Sequence, residues 1–254
     1  MDVCSYVSEL ELKPHQSSGQ LMPGTKDEAV SATINRKNAT TAIINANSIC
    51  VFGNQVTDQN KQDISNSVLL AYLASDKKND RFSEPEQWLS SFLNILGSIG
   101  WTQPGFSFSK YSPTVVNWID IVLESMKNVA SQDESDLAKT GMGAWKNLQI
   151  NSQGMNIWSV NSLQNQPIFG NKQIFQIIPV ESEGSGNLQI IIGAVYSETK
   201  GNPNGFLSWQ ESYDIHSSSV KASLNEDIYA KVRQMIIEKL GDKPKEFVTN
   251  LPIG

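Results

Sequence analysis

Leu188-Gln189-Ile190-Ile191-Ile192-Gly193-Ala194-Val195 is apolar on both faces of a β-strand's pleat. A strand with one wet face alternates apolar and polar residues, so this one is expected at the centre of a sheet covered on both sides. Tyr213 to Leu224 does alternate and fits an edge. From Gly154 onward the chain reads as strand and turn, with strands at Asn156 to Ser162, Lys172 to Val180, Leu188 to Ser197, Gly205 to Gln210 and Tyr213 to Leu224. The connectors Glu183-Gly184-Ser185-Gly186-Asn187 and Gly201-Asn202-Pro203-Asn204-Gly205 are short and rich in turn formers, which implies antiparallel neighbours.

Upstream of Gly154 the hydrophobic period is that of helices. Asp58 can cap a helix with Ile64, Val68, Leu69, Tyr72 and Leu73 on its inner side. Ser83-Glu84-Pro85-Glu86 has the form of a capping box, and the helix it opens carries Trp88, Phe92, Leu96 and Ile99 as one stripe before Gly100. Ser112-Pro113 opens a third, with Val115, Trp118, Ile119, Val122, Met126 and Val129 inward. A fourth is expected from Asp136 to Leu148, although Gly141 and Gly143 each weaken it by about 1 kcal/mol. Ala42-Ile43-Ile44 and Ile49-Cys50-Val51-Phe52 supply one or two early strands. Asn225 caps a final helix with Ile228, Val232, Met235, Ile236 and Leu240 inward, ended by Gly241 and Pro244.

The predicted fold class is therefore α+β, an antiparallel sheet in the C-terminal half packed against a helical block and a C-terminal helix. Residues 1–30, with Pro14, Gly19, Pro23 and Gly24 among polar neighbours, read as an N-terminal arm or loop, and residues 31–254 as a single α+β domain.

Charge and composition exclude several functions. Twenty Lys+Arg against 26 Asp+Glu give a net charge of −6 with the basic residues scattered, which argues against a nucleic-acid partner. Cys4 and Cys50 are the only cysteines, too few for a disulfide framework or a zinc site. No apolar run approaches the ~20 residues of a spanning helix. The N-terminus lacks a basic and then apolar leader, so synthesis in the cytoplasm without a conventional signal peptide is expected, with release by lysis or a dedicated machine left open.

No catalytic signature appears, and neither a cofactor nor a metal is expected. The two histidines are His15, in the arm, and His216, on an edge strand before Ser217-Ser218-Ser219 with no relay partner in view. Gly184-Ser185-Gly186 sits in a hairpin and serves turn geometry. Asp120 and Glu124, one helical turn apart, lie outside the apolar stripe and read as a solvated face. Walker, dinucleotide and His-Glu-x-x-His patterns do not occur. Of six tryptophans, Trp88, Trp118 and Trp145 fall on helical stripes and are expected in the core. Trp101, Phe106 and Phe108 lie in a loop with Pro104 and Gly105, where they can cap the core or contact a partner or bilayer headgroups.

Four groups of residues resemble a sparsely characterised bacterial and fungal protein family. They are Asp63-Ile64-Ser65-Asn66-Ser67-Val68-Leu69-Leu70-Ala71, Trp88 followed by Ile99-Gly100-Trp101, Gln173-Ile174-Phe175-Gln176-Ile177, and Tyr229-Ala230-Lys231-Val232-Arg233 with Glu238-Lys239-Leu240-Gly241. The resemblance implies a shared fold and brings no catalytic residues with it. In size and α+β layout the chain is similar to Erwinia Evf-type virulence factors and Cyt-type cytolysins, an analogy of fold alone. Cyt-type chains interleave helix pairs and strands differently, and Cys4 and Cys50 match no lipid-attachment site.

The resulting expectation is a non-enzymatic interaction protein of toxin or virulence association. It would self-associate or engage another protein or a membrane surface, with Trp101, Phe106 and Phe108 as contact residues. The alternative is a hydrolase or small-ligand-binding protein with its pocket between helices and sheet.

Overall fold

A computed structural model describes residues 2–14, 40–106, 109–111, 117–166, 170–182, 188–199 and 213–253. In chain order the elements are α1 (Val3–Glu9), β1 (Thr41–Asn45), β2 (Ser48–Phe52), α2 (Asp58–Lys78), α3 (Pro85–Ser98), β3 (Trp101–Thr102) and β4 (Ser109–Tyr111). They continue with α4 (Trp118–Met126), α5 (Gln132–Lys146), α6 (Gln153–Ser162), β5 (Leu163–Gln166), β6 (Gly170–Ser182), β7 (Leu188–Thr199) and β8 (Tyr213–Leu224). Last come α7 (Glu226–Leu240), α8 (Pro244–Phe247) and β9 (Val248–Leu251).

Among the described residues the strands form one nine-stranded sheet in the order β3-β8-β7-β6-β2-β1-β9, with β4 also on β8 and β5 also on β6. Among the described strands only β2 and β6 run parallel, Ile49 facing Ile177 and Cys50 facing Ile178. Long antiparallel ladders join β6 to β7 and β7 to β8, so that Ile177, Gly193 and Ser219 form one row. The fold is α+β as expected, and β7 is central: Ile190, Ile191 and Val195 are fully buried and Ile192 is 1% exposed.

The pleat of β7 explains the layers. Ile190 and Ile192 pack with Cys50, Phe52, Ile178 and Val220 into a cluster that includes Val68, Trp88, Phe92, Val232 and Ile236 of α2, α3 and α7. Ile191 and Val195 point the other way, joining Ile49, Val51 and Ile177 against Trp118, Met142 and Trp158 of α4, α5 and α6. The sheet thus separates two apolar layers, each closed by helices.

Several local expectations are corrected. Asn156 to Ser162 is not a strand but most of α6, capped by the Ser152 hydroxyl, which accepts from the Met155 N–H. Its buried residues, Gly154, Ile157, Trp158, Asn161 and Ser162, recur at three to four, while Val160, which alternation would place beside Trp158, is 69% exposed. The sheet also extends into the N-terminal half, through β1, β2, β3 and β4, and takes in the short β9 after the last long helix. Ser83 forms no capping box. Its N–H and that of Phe82 donate instead to Asp80 Oδ1, and Glu84 is the uncapped N-cap of α3. The box forms at α5 between Ser131 and Glu134, and Thr57 rather than Asp58 caps α2. Within the expected arm, residues 3–9 are helical and docked: Val7 is 1% exposed, Lys239 Nζ donates to Ser8 O, and the Lys13 N–H donates to Leu73 O. The expected strand at Gly205 to Gln210 and the helix opening at Ser112-Pro113 lie outside the described residues.

Candidate functional site

The contact segment expected around Trp101 begins at Gly100, whose φ of +113° is a conformation glycine adopts without strain. Its carbonyl accepts from the Asn225 N–H at 2.8 Å, so α3 ends directly against the start of α7. The chain then follows β8: Trp101 faces Leu224, Thr102 faces Ser223, and Ser109 to Tyr111 face Ser217 to Ile215. From Thr102 to Ser109 it advances seven residues while β8 advances six from Ser223 to Ser217. β3 and β4 therefore lie along the same edge of β8, with one more residue between them than β8 has opposite. A proline and a bulge are common devices for making an edge a poor template for further strands.

This geometry corrects the expectation for Trp101. Its ring is 1% exposed and belongs to the core, and its indole nitrogen is buried without a hydrogen-bond partner. Phe106 is half-buried against the same cluster, and Gln103 Nε2 holds the segment to α3 through Leu93 O at 2.6 Å. Phe108 lies outside the described residues. The large apolar side chains exposed among the described residues are Ile150, Val160 and Ile237, none of them aromatic.

A second constellation gathers where α2 ends. Asp76, 3% exposed, accepts from Trp88 Nε1 at 2.9 Å, from Lys13 Nζ at 3.1 Å and from Arg81 Nη1. Arg81 Nε donates to Asn161 O at 2.9 Å and Nη2 to Val160 O at 3.5 Å, so the guanidinium caps the last turn of α6. It also lies over the rings of Tyr72 and Phe82, 5.4 and 4.6 Å from their centroids. Tyr72 Oη completes the group by donating to Asn161 Oδ1 at 2.8 Å. Burial pushes the Tyr72 phenol well above its ordinary range, leaving it a neutral hydrogen-bond donor. An open cleft of about 160 Å³ beside this group is lined by Lys13, Asp76, Lys77, Lys78, Asn79, Asp80 and Arg81. The buried donors and acceptors there satisfy one another, so the constellation is a clamp between two helical layers.

Asp76 is four residues beyond Tyr72 on the same helix, and a carboxylate continuing an apolar stripe is a readable sign of a buried charge partner. Its partner Arg81 carries no such sign, because it follows the helix in a turn.

The remaining candidates are dispersed. His216 is half-buried, its ring 6.2 Å from that of Tyr196, whose hydroxyl reaches Phe82 O and Glu198 at 3.3 Å. Cys50 is fully buried and its thiol is held well above the ordinary range by burial. Cys4 is half-buried, 3.8 Å from Lys231 O. Asp120 and Glu124 are both exposed, the latter paired with Lys127. Among the described residues no group of three or more His, Cys, Asp or Glu is placed to hold a metal ion, and no helix is long and apolar enough to cross a membrane.

No family model and no curated protein matches the chain. Solved structures similar to it in layout include the following three. The activated Cyt2Ba monomer from Bacillus thuringiensis subsp. israelensis shares 13% identity at a TM-score of 0.41, over 70% of this chain and 96% of that one. A delta-endotoxin shares 12% at 0.36, over 71% and 80%, and the Evf virulence factor 12% at 0.33, over 81% and 82%. The resemblance to Cyt-type and Evf-type proteins expected from the sequence is thus found, as a weak likeness of layout.

Proposed function

We propose that this protein works by association rather than turnover, and that residues 101–111 form its contact segment toward a second copy, another protein or a membrane surface. The observation that supports this is the interrupted edge strand. Among the described residues it is tied to β8 at Trp101-Thr102 and Ser109 to Tyr111, and between these Pro104 and Gly105 stand exposed beside a half-buried Phe106. Such a strand can be exchanged for a partner's, and backbone hydrogen bonding at a sheet edge is a recurring mode of recognition. A toxin or virulence setting is suggested by what the three similar structures are called, and the argument rests on the edge strand alone.

Size-exclusion chromatography with light scattering, run over a concentration series and repeated with liposomes, tests the reading. Association in either arm is expected, weakened by Phe106→Ala at temperatures where the variant remains folded by circular dichroism. A chain that stays monomeric at every concentration and does not sediment with liposomes would overturn it.

A further inference from the structure

The open cleft beside the clamp, at the end of α2, is lined by polar residues and by no apolar one. Four of them are cations, Lys13, Lys77, Lys78 and Arg81, and two are carboxylates, Asp76 and Asp80. That positive excess stands in a chain of net charge −6 whose basic residues are otherwise scattered. Lys77 and Lys78, in the last turn of α2, also suit the negative end of its dipole. Lys13 and Arg81 come from segments outside the helix and converge on the same space.

Both carboxylates are already engaged. Asp76 accepts from Trp88 Nε1, Lys13 and Arg81, and Asp80 Oδ1 accepts from the Phe82 and Ser83 N–H groups. The cations keep donors in reserve. Among the described residues, exposed Lys78 has no hydrogen bond or ion pair, and Lys77 pairs with exposed Glu11 at 3.5 Å. Lys13 uses one of three ammonium hydrogens on Asp76, and Arg81 uses three of five guanidinium hydrogens on Asp76, Asn161 and Val160. Asn79 Oδ1 accepts from Ser91 Oγ, which leaves its Nδ2 as a neutral donor on the same lining.

We propose that this cleft binds a phosphate monoester group, with Lys13 and Lys78 as its ammonium partners and Arg81, the most buried of the cations, beneath it. The volume of about 160 Å³ is roughly ten times what one water needs, so a tetrahedral anion enters with no wall displaced. A monoester carries close to two negative charges at neutral pH, which matches the excess on the lining, whereas a carboxylate carries one. Arginine recognises phosphate oxygens by its fixed fork and lysine as a point charge. With no apolar wall, the cleft selects the phosphate and not what it is attached to. Lys13 belongs to the N-terminal segment and is already held to α2 through Leu73 O, so an occupied cleft fastens that segment further. None of these residues belongs to the edge strand, so the cleft can fill whether or not the chain associates.

The test titrates the full chain with inorganic phosphate at constant ionic strength, with chloride as the control, following heat of binding and melting temperature. Saturable phosphate binding and a raised melting temperature are expected. No saturation, or an equal rise with chloride, would overturn the proposal. Lys78→Gln removes an exposed charge without a partner, so the fold is kept, and should weaken phosphate about tenfold, the loss of one charge-assisted hydrogen bond. Lys231→Gln, at an exposed position of α7, should leave binding unchanged. Equal weakening by the two variants would mean general surface charge, and undiminished binding to the double variant Lys13→Gln, Lys78→Gln would place the site elsewhere; either would overturn the proposal. Sedimentation with phosphatidylcholine vesicles containing phosphatidic acid, competed by inorganic phosphate, would identify a lipid headgroup as the source, and phosphate binding without sedimentation would identify a soluble ester.

Discussion

Trp101 shows how one residue's burial decides between two roles. Its neighbours in sequence, Gly100 and Thr102-Gln103-Pro104-Gly105, are those of a loop, yet the ring is 1% exposed within the cluster of α3 and α7. Trp101→Ala is expected to lower stability by about 3–5 kcal/mol in urea unfolding, as large-to-small changes in a core do. Gly141 makes the complementary case. A Cβ there would meet Val51 Cγ2 at 2.3 Å, so the glycine that weakens α5 is what lets the helix lie against β2. Gly141→Ala should destabilise by about 1–3 kcal/mol through overpacking, more than the gain in helix propensity returns. Asp80 carries a pH dependence. Burial pushes its carboxyl up, but hydrogen bonds from the Ser83 and Phe82 N–H groups outweigh this and hold it below the ordinary range. A depressed folded-state value means its contribution is present above the unfolded value of about 3.9 and is lost as pH falls through the folded one. Asp80→Ala should therefore flatten the fall of unfolding free energy in acid, and an unchanged slope would contradict the assignment.

At the scale of elements, β7 and α6 bracket what periodicity reveals. β7 is apolar on both faces, and both are covered. Ile192→Ala should cost about 2–5 kcal/mol by equilibrium denaturation, and a loss below 1 kcal/mol would mean the strand is not central. α6 is harder to read, because seven residues with Ile157, Trp158 and Val160 satisfy alternation about as well as helical spacing. The Ser152 cap and the Arg81 guanidinium at its last carbonyls settle the matter from outside the segment. The edge strand is hidden for a related reason. β3 and β4 are two and three residues long, too short to show a period, and take their form from pairing with β8.

Across the whole molecule, the clamp of Asp76, Arg81, Tyr72 and Asn161 ties the helical layer of α2 to that of α6 around the end of the sheet. Asp76→Asn leaves Arg81 without its buried counter-charge and should cost about 3–5 kcal/mol. Hydrogen exchange should then show loss of protection in α6 before α7, whose own ion pair, buried Asp63 with half-buried Arg233, remains. Local chemistry was enough to specify the α+β class, the central strand, the caps at Asn225 and Gly241 and the burial of Trp88, Trp118 and Trp145, since hydrophobic period and turn residues act over a few positions. The parallel pairing of β2 with β6, the recruitment of β9, the docking of α1, the burial of Trp101 and the meeting of Asp76 with Asn161 were settled only on folding. Each joins segments far apart in the chain, and such contacts form because two surfaces fit, a property that neither segment carries alone.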